Sequence, residues 1–181
     1  MKNERVLLER AKVFDVAALG ELYDHYAPRI YASIYRRVGS AHLAEDLTGD
    51  VFVRVLQAIR SQRFWHTSFQ AWLYRIAHNL VVDHYRRQPS EPVVPLDIVP
   101  LVSEKNDPAD AAEQTLSRER LRAMIAHLTP DQQQVLLLRF GEGLTARETA
   151  QVLQKTTRAV EALQHRALAA LRRALTEKAP V

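Results

Sequence analysis

The side chains able to do chemistry fall into three groups. The first is a pair of carboxylates, Asp46 and Asp50, in the stretch AEDLTGDVFVRVLQAI. Four residues apart, they share one face of a helix, with Glu45 beside them. Two carboxylates suggest acid–base work or a metal, but no histidine or third acid is read at a ligand spacing next to them. A solvated acidic face and a docking patch for a basic protein surface remain. The second group is RFWHTSFQAWLYRIAHNLVVDHYRR, from Arg63 to Arg87. Its histidines, His66, His78 and His84, form no HExxH or comparable signature, so neither a metal nor a cofactor is expected. Its aromatics are more informative. Phe64, Trp65 and His66 stand in a polar loop, ahead of a helix carrying Tyr74, Arg75, His78, Asn79, Asp83, Tyr85, Arg86 and Arg87. Exposed rings offer stacking faces and arginines offer charge for phosphates, as a single nucleic-acid strand requires. A flipped base also needs hydrogen-bonding groups on a pocket rim, here Ser68 and Asn79. The plainer alternative is a satisfied polar helix with a hydrophobic loop anchor.

The third group lies in LTARETAQVLQKTTRAVEALQHRALAALRRA, residues 144–174. A short capped helix is followed by a turn at Gln154-Lys155-Thr156. A longer helix then carries Arg158, Gln164, His165, Arg166, Arg172 and Arg173. This is helix-turn-helix spacing. An α-helix fits the major groove with its first turns nearest the base edges, where arginine and glutamine pair with guanine and adenine. Later arginines meet phosphates. A helical hairpin with a solvated basic face is the plainer alternative.

These groups need helices to position them, and the rest of the sequence supplies helices. The chain has 181 residues, only five glycines, and apolar patterns of helical period, so the expected fold is all-α. Before residue 88, three main helices are predicted, at about 12–38, 41–60 and 69–87. Leu19, Leu22, Tyr23, Tyr26, Ile30 and Ile34 face inward on the first, and Leu43, Leu47, Val51, Val55 and Ile59 on the second. Trp72, Leu73, Ile76 and Leu80 form the buried stripe of the third. Gly39 ends the first helix and Ser40 caps the second. Four shorter helices are predicted at about 111–128, 130–140, 145–153 and 157–175. Thr129-Pro130-Asp131-Gln132 and Thr145-Ala146-Arg147-Glu148 mark two of their starts as capping boxes. Between the sets, five prolines from Pro89 to Pro108 forbid a continuous helix. Three parts are therefore expected: a helical domain at 1–88, an extended linker at 89–117 and a helix-turn-helix domain at 118–181.

Charge follows the same division. Residues 1–88 carry 13 Lys+Arg against 9 Asp+Glu, and residues 118–181 carry 11 against 6. The linker has one lysine against six acids. Two basic ends point to a polyanion partner. The absence of cysteine excludes disulfides, thiolate metal sites and cysteine nucleophiles. No apolar run approaches the roughly 18 residues that suggest a membrane span, and the first residues do not form a secretory signal. A cytoplasmic protein without a membrane partner is expected.

AEDLTGDVFVRV, FQAWLYRIAHNLVVDHYRR and LTPDQQQVLLLRFGEGLTARETAQVL, in this order, resemble the extracytoplasmic-function sigma factors, the promoter-specificity subunits of bacterial RNA polymerase. The resemblance covers roughly residues 15–88 and 118–175. It implies core polymerase as a partner, gripped through Glu45, Asp46, Asp50 and Arg54. It implies a loop and helix that open and read the minus-ten promoter element through Arg63, Phe64, Trp65, His66, Ser68, Arg75, His78, Asn79, Arg86 and Arg87, with a base of the melted non-template strand flipped near Phe64 to Ser68. It implies duplex recognition at the minus-thirty-five element through Thr156, Thr157, Arg158, Glu161, Gln164, His165, Arg166 and Arg172. An anti-sigma factor is a further partner class. Gly49, the glycine-free turn at Gln154-Lys155-Thr156, Glu161 and the order Leu163-Gln164 depart from the family pattern. The rival functions are a helix-turn-helix regulator that never joins polymerase, which leaves residues 44–88 without a role, and a nucleic-acid enzyme, for which no convincing nucleophile, metal cluster or phosphate loop is present. The work expected of the chain is binding, not catalysis.

Overall fold

The computed structural model describes residues 4–66, 68–87 and 120–177, and every regular element among them is helical. The chain divides into two compact units, residues 1–94 and 95–181. The predicted linker lies outside the described residues, as do Thr67 and the start of the helix expected from 111.

Among its described residues the first unit has four helices: α1 (Glu4–Lys12), α2 (Val16–Val38), α3 (Ala41–Arg60) and α4 (Phe69–Arg87). The helix expected over 12–38 therefore begins only at Val16, and α1 before it was not expected. Phe14 takes a left-handed φ of 62° and breaks the chain. Asp15 then caps α2 by accepting from the Ala18 amide at 3.1 Å. The Arg10 guanidinium also donates to Asp15 at 2.8 Å, which holds that carboxyl below its ordinary range and raises the arginine. The stability this carboxylate adds is present above the ordinary carboxylate range and is lost as pH falls through its depressed folded value. At the other end, Gly39 stops α2 at φ 68° with its N–H on the Tyr35 carbonyl, and Ser40 caps α3, as expected.

The core of this unit forms where α2, α3 and α4 meet. Leu22, Tyr26, Ile30 and Ile34 of α2, Val51, Val55 and Ile59 of α3, and Phe69, Leu73, Ala77 and Val81 of α4 are all buried. Five inward assignments shift, beginning with Leu19, which is half-buried. Tyr23 is 49% exposed. Leu43 is half-buried while Ala44 is fully buried. On α4, Trp72 and Ile76 are half-buried, and Tyr74, read from the sequence as a surface residue, is 2% exposed. Phe69, the first residue of α4, is 2% exposed, its ring against those of Tyr26, Trp65 and Trp72.

Gly49 lies on the exposed side of α3, and a Cβ placed there meets nothing within 4 Å. Replacing it with alanine removes the entropic penalty of a mid-helix glycine at no steric cost. Gly49→Ala is expected to stabilise the first unit by about 1 kcal/mol, read as a raised denaturant midpoint at unchanged slope. An unchanged or lowered midpoint would show that this stretch of α3 is strained in another way.

The second unit contains helical residues 120–126, here α5, followed by α6 (Pro130–Leu136), a π-helical turn over Leu137–Gly141, α7 (Ala146–Leu153) and α8 (Thr157–Glu177). Both capping boxes form. Thr129 Oγ1 accepts from the Gln132 amide at 3.4 Å while the Gln132 side chain accepts from Thr129 N at 3.0 Å. Thr145 and Glu148 repeat the exchange at 3.2 and 2.8 Å. Leu128, Leu136 and Ala167 pack as one cluster, with Leu171 beside it. The buried Gln133 amide donates to the Ile125 and Leu128 carbonyls at 3.0 Å each, satisfying backbone groups after α5. The helix expected over 130–140 instead widens after Leu136, where the Glu142 amide reaches back five residues to Leu137 at 3.0 Å.

Candidate nucleic-acid interfaces

On α3, Glu45, Asp46, Asp50 and Arg54 are all exposed. The reading that no histidine stands beside the carboxylates is corrected. His42, one turn earlier, places Nδ1 3.0 Å from Asp46. Among the described residues no group of three histidine or carboxylate side chains is arranged to hold a metal. The same helix exposes Val53 (50%) and Leu56 (38%). Leu56 lines an apolar cleft of about 420 Å³ between α2 and α3, together with Phe14, Leu19, Tyr23 and Phe52. Open carboxylates beside an apolar hollow form a surface suited to a protein partner with a basic, apolar face.

The loop between α3 and α4 is less exposed than its composition suggests. Arg63, His66 and Ser68 are exposed, but Phe64 and Trp65 are half-buried. The Trp65 ring lies 4.8 Å from Phe69 and 5.5 Å from Trp72, and Phe64 meets Trp65 edge-on at 6.1 Å. The aromatics anchor the loop, and each keeps a partly open face. Ser68 accepts from the Ala71 amide at 3.2 Å and starts α4. Lys12, which the sequence reading passed over, brings its ammonium to 5.5 Å from the Trp65 centroid and 5.7 Å from that of Phe64.

Along α4, Arg75, Arg86 and Arg87 are exposed, while His78 and Asn79 are half-buried. Arg86 pairs with Asp83 at 3.3 Å. His78 Nδ1 lies 3.4 Å from Arg37, and Tyr85 donates its hydroxyl to the Arg37 carbonyl at 2.8 Å. Burial lowers the Arg37 guanidinium to about 10, partly opposed by Tyr85. Arg37 was not legible as part of this site, because nothing in the pair Arg36-Arg37 in the last turn of α2 marks which arginine reaches α4.

In the second unit, α7 ends at Gln154, held left-handed at φ 54° where a glycine is the common choice. Thr156 caps α8 by accepting from the Ala159 amide at 3.1 Å. Thr157, Arg158, Glu161, His165, Arg166 and Arg172 are exposed along α8. Spacings of three, four and seven put Arg158, Glu161, His165 and Arg172 on one side. Gln164 does not join them. It is half-buried, and its Oε1 accepts from Arg139 Nε at 2.9 Å. Arg139 stands on the π-helical turn and also donates to the Leu144 carbonyl. Its acceptor oxygen fastens α8 to the turn before α7. The sequence carries no mark of this, because the π turn sets where Arg139 points.

The chain resembles known proteins in sequence and in fold. The family model for Sigma-70 region 2 matches residues 22–90, and that for Sigma-70, region 4 matches residues 118–171. The chain is 37% identical over 174 residues to the ECF RNA polymerase sigma factor BldN of Streptomyces coelicolor, covering 96% of this chain and 66% of that one. It is 34% identical to the ECF RNA polymerase sigma factor ShbA of Streptomyces griseus, covering 95% and 94% of the two chains. Among solved structures, CnrH in complex with the cytosolic domain of CnrY superposes with a TM-score of 0.65 at 25% identity, over 97% of this chain and 99% of that one. The chain belongs to the extracytoplasmic-function branch of the sigma-70 family of RNA polymerase sigma factors.

Proposed function

We propose that this chain joins core RNA polymerase, directs it to particular promoters and starts their melting. The acidic and apolar face of α3 docks on core polymerase. The loop at 63–66, with Ser68 and α4, captures the melted non-template strand at the minus-ten element. The exposed side of α8 enters duplex DNA at the minus-thirty-five element, with Arg158 nearest the bases and Arg172 and Arg173 on phosphates. The domain limits proposed for these tasks remain 1–88 and 118–181.

One observation carries the reading: two half-open aromatic rings stand against a helix whose exposed side bears Arg75, Arg86 and Arg87. Stacking on such rings is worth about 1–3 kcal/mol per base, comparable to the few kcal/mol that unstacking costs. Melting can therefore begin from binding energy alone, and the role is not that of an enzyme. It is exercised in the cytoplasm, where polymerase and promoter meet. The apolar cleft between α2 and α3 also offers a seat for an anti-sigma factor, a partner that would block docking by competition.

Run-off transcription by core polymerase with this chain, on templates bearing a randomised upstream region, tests the proposal. Transcripts that start downstream of one shared pair of elements are expected. Products no different from those of core polymerase alone would reject it, and DNA binding without association with core enzyme would leave a simple helix-turn-helix regulator in its place.

A further inference from the structure

The contact between Lys12 and the loop aromatics joins two parts of the chain that the family comparison separates, because α1 lies before residue 22, where the matched region begins. The α1 helix is firmly seated. Leu7 and Ala11 are buried, Tyr26 donates its hydroxyl to Glu4, and Arg10 bonds Asp15 at the end of the helix. The Arg60 guanidinium covers Phe14 at 5.0 Å, tying the corner after α1 to the end of α3. Lys12, the last residue of α1, is aimed by Glu9 at 2.8 Å. Its ammonium then sits within cation–π range of both Trp65 and Phe64. Further along α1, Arg5, Leu8 and Glu9 border an open groove of about 520 Å³ whose other side is Trp65 and Ser68.

We infer that Lys12 is a positioning residue for promoter opening, so that α1 forms part of the strand-capturing element. The inference rests on the strand-capture reading of the loop. Two aromatic side chains on a loop lose rotational freedom when a base stacks on them, and that loss weakens capture. A cation held against both rings from a seated helix removes much of the freedom beforehand. Lys12 thus acts through the rings on the step in which a base leaves the duplex, and only weakly once the strand is already single.

The test uses the full chain with core polymerase, on a promoter selected from the randomised library by the wild-type protein. Each protein transcribes the duplex promoter and a template whose minus-ten region is pre-melted by mismatches. Lys12→Met, which keeps the stem and removes the charge, is expected to lower duplex transcription about five-fold and to leave the pre-melted template nearly unchanged, the ratio that an ordinary cation–π contact implies. Lys12→Arg restores the cation and should restore duplex transcription. A duplex signal unchanged in Lys12→Met, or an equal loss on both templates, overturns the inference while wild-type activity keeps the capture reading intact. Failure of the wild-type protein to transcribe either template overturns both. A thermal melt of Lys12→Met matching the wild type assigns the defect to opening, and a lowered melt with no rescue by arginine assigns it to folding and rejects the inference.

Discussion

Asp46→Arg combined with Asp50→Arg is expected to reduce competition for core polymerase on the order of a hundred-fold, because like charges set against each other at an interface cost several kcal/mol. Each substitution changes the local charge by two, so the pair changes it by four on one exposed face. Both residues are exposed, and Asp46 meets His42 at 3.0 Å with 65% of its own side chain accessible. The folded unit should therefore change by no more than about 0.5 kcal/mol. That separation makes the variant useful, since a docking defect in a protein with wild-type melting behaviour cannot come from the core. The measurement is displacement of a labelled sigma factor from core enzyme at two salt concentrations. Wild-type competition by the variant would remove α3 from the docking surface and shift attention to the apolar cleft between α2 and α3.

Truncating Trp65 should strike transcription from duplex promoters hardest. The ring is half-buried against Phe69 and Trp72, so Trp65→Ala loses packing as well as a stacking face. A half-buried indole forfeits less than the 3–5 kcal/mol of a fully buried one, and about 1–2 kcal/mol is a fair expectation for the fold. The stacking loss adds about 1–3 kcal/mol at the moment of capture, roughly five- to 150-fold in opened complex. On a template already mismatched at the minus-ten bases the unstacking cost is gone, and the defect should shrink accordingly. Trp65→Phe serves as the control, since it keeps a ring against Phe69 while offering a smaller face. If Trp65→Ala fails equally on both templates and its melt is normal, the ring captures bases without helping to open them. If the melt is lowered to match, the tryptophan is an anchor and the strand is held elsewhere.

The sequence made the helices legible wherever local signals and periodicity agreed. Gly39, Ser40, Thr129 and Thr145 all act at the ends they mark, because caps are chemistry between near neighbours. The misplacements have physical causes too. The break at Phe14 has no glycine or proline to announce it; Asp15 was the available signal, and it stood inside an apolar pattern that runs on through Val16, Ala17 and Ala18. Tyr23 was assigned inward on spacing alone, although α2 curves its buried side through Leu22 and Tyr26 instead. The candidate site was legible at α3 and along α8, where exposure follows from helical phase. It was less so in the loop, because composition cannot distinguish an aromatic that faces solvent from one that leans on Phe69. Gln164, Arg37 and Lys12 depend on partners at distances of 25, 41 and 53 residues along the chain, as the numbers of Arg139, His78 and Trp65 show. No local pattern encodes such pairings.

The tryptophan pair has a spectroscopic consequence. The chain's two tryptophans, Trp65 and Trp72, lie 5.5 Å apart, and all six tyrosines fall between Tyr23 and Tyr85. Near-ultraviolet absorption, emission and circular dichroism therefore arise almost wholly from the first unit, while the second is optically silent apart from Phe140. Emission from the whole protein is in effect a local probe of the 63–72 region, needing no label and no engineered residue. A single strand that stacks on Trp65 should quench it directly, whereas duplex engaged by α8 should leave the signal unmoved. For the same reason a melt followed by tryptophan emission describes only half of the molecule. The unfolding of α5 to α8 has to be followed in the far ultraviolet or by calorimetry.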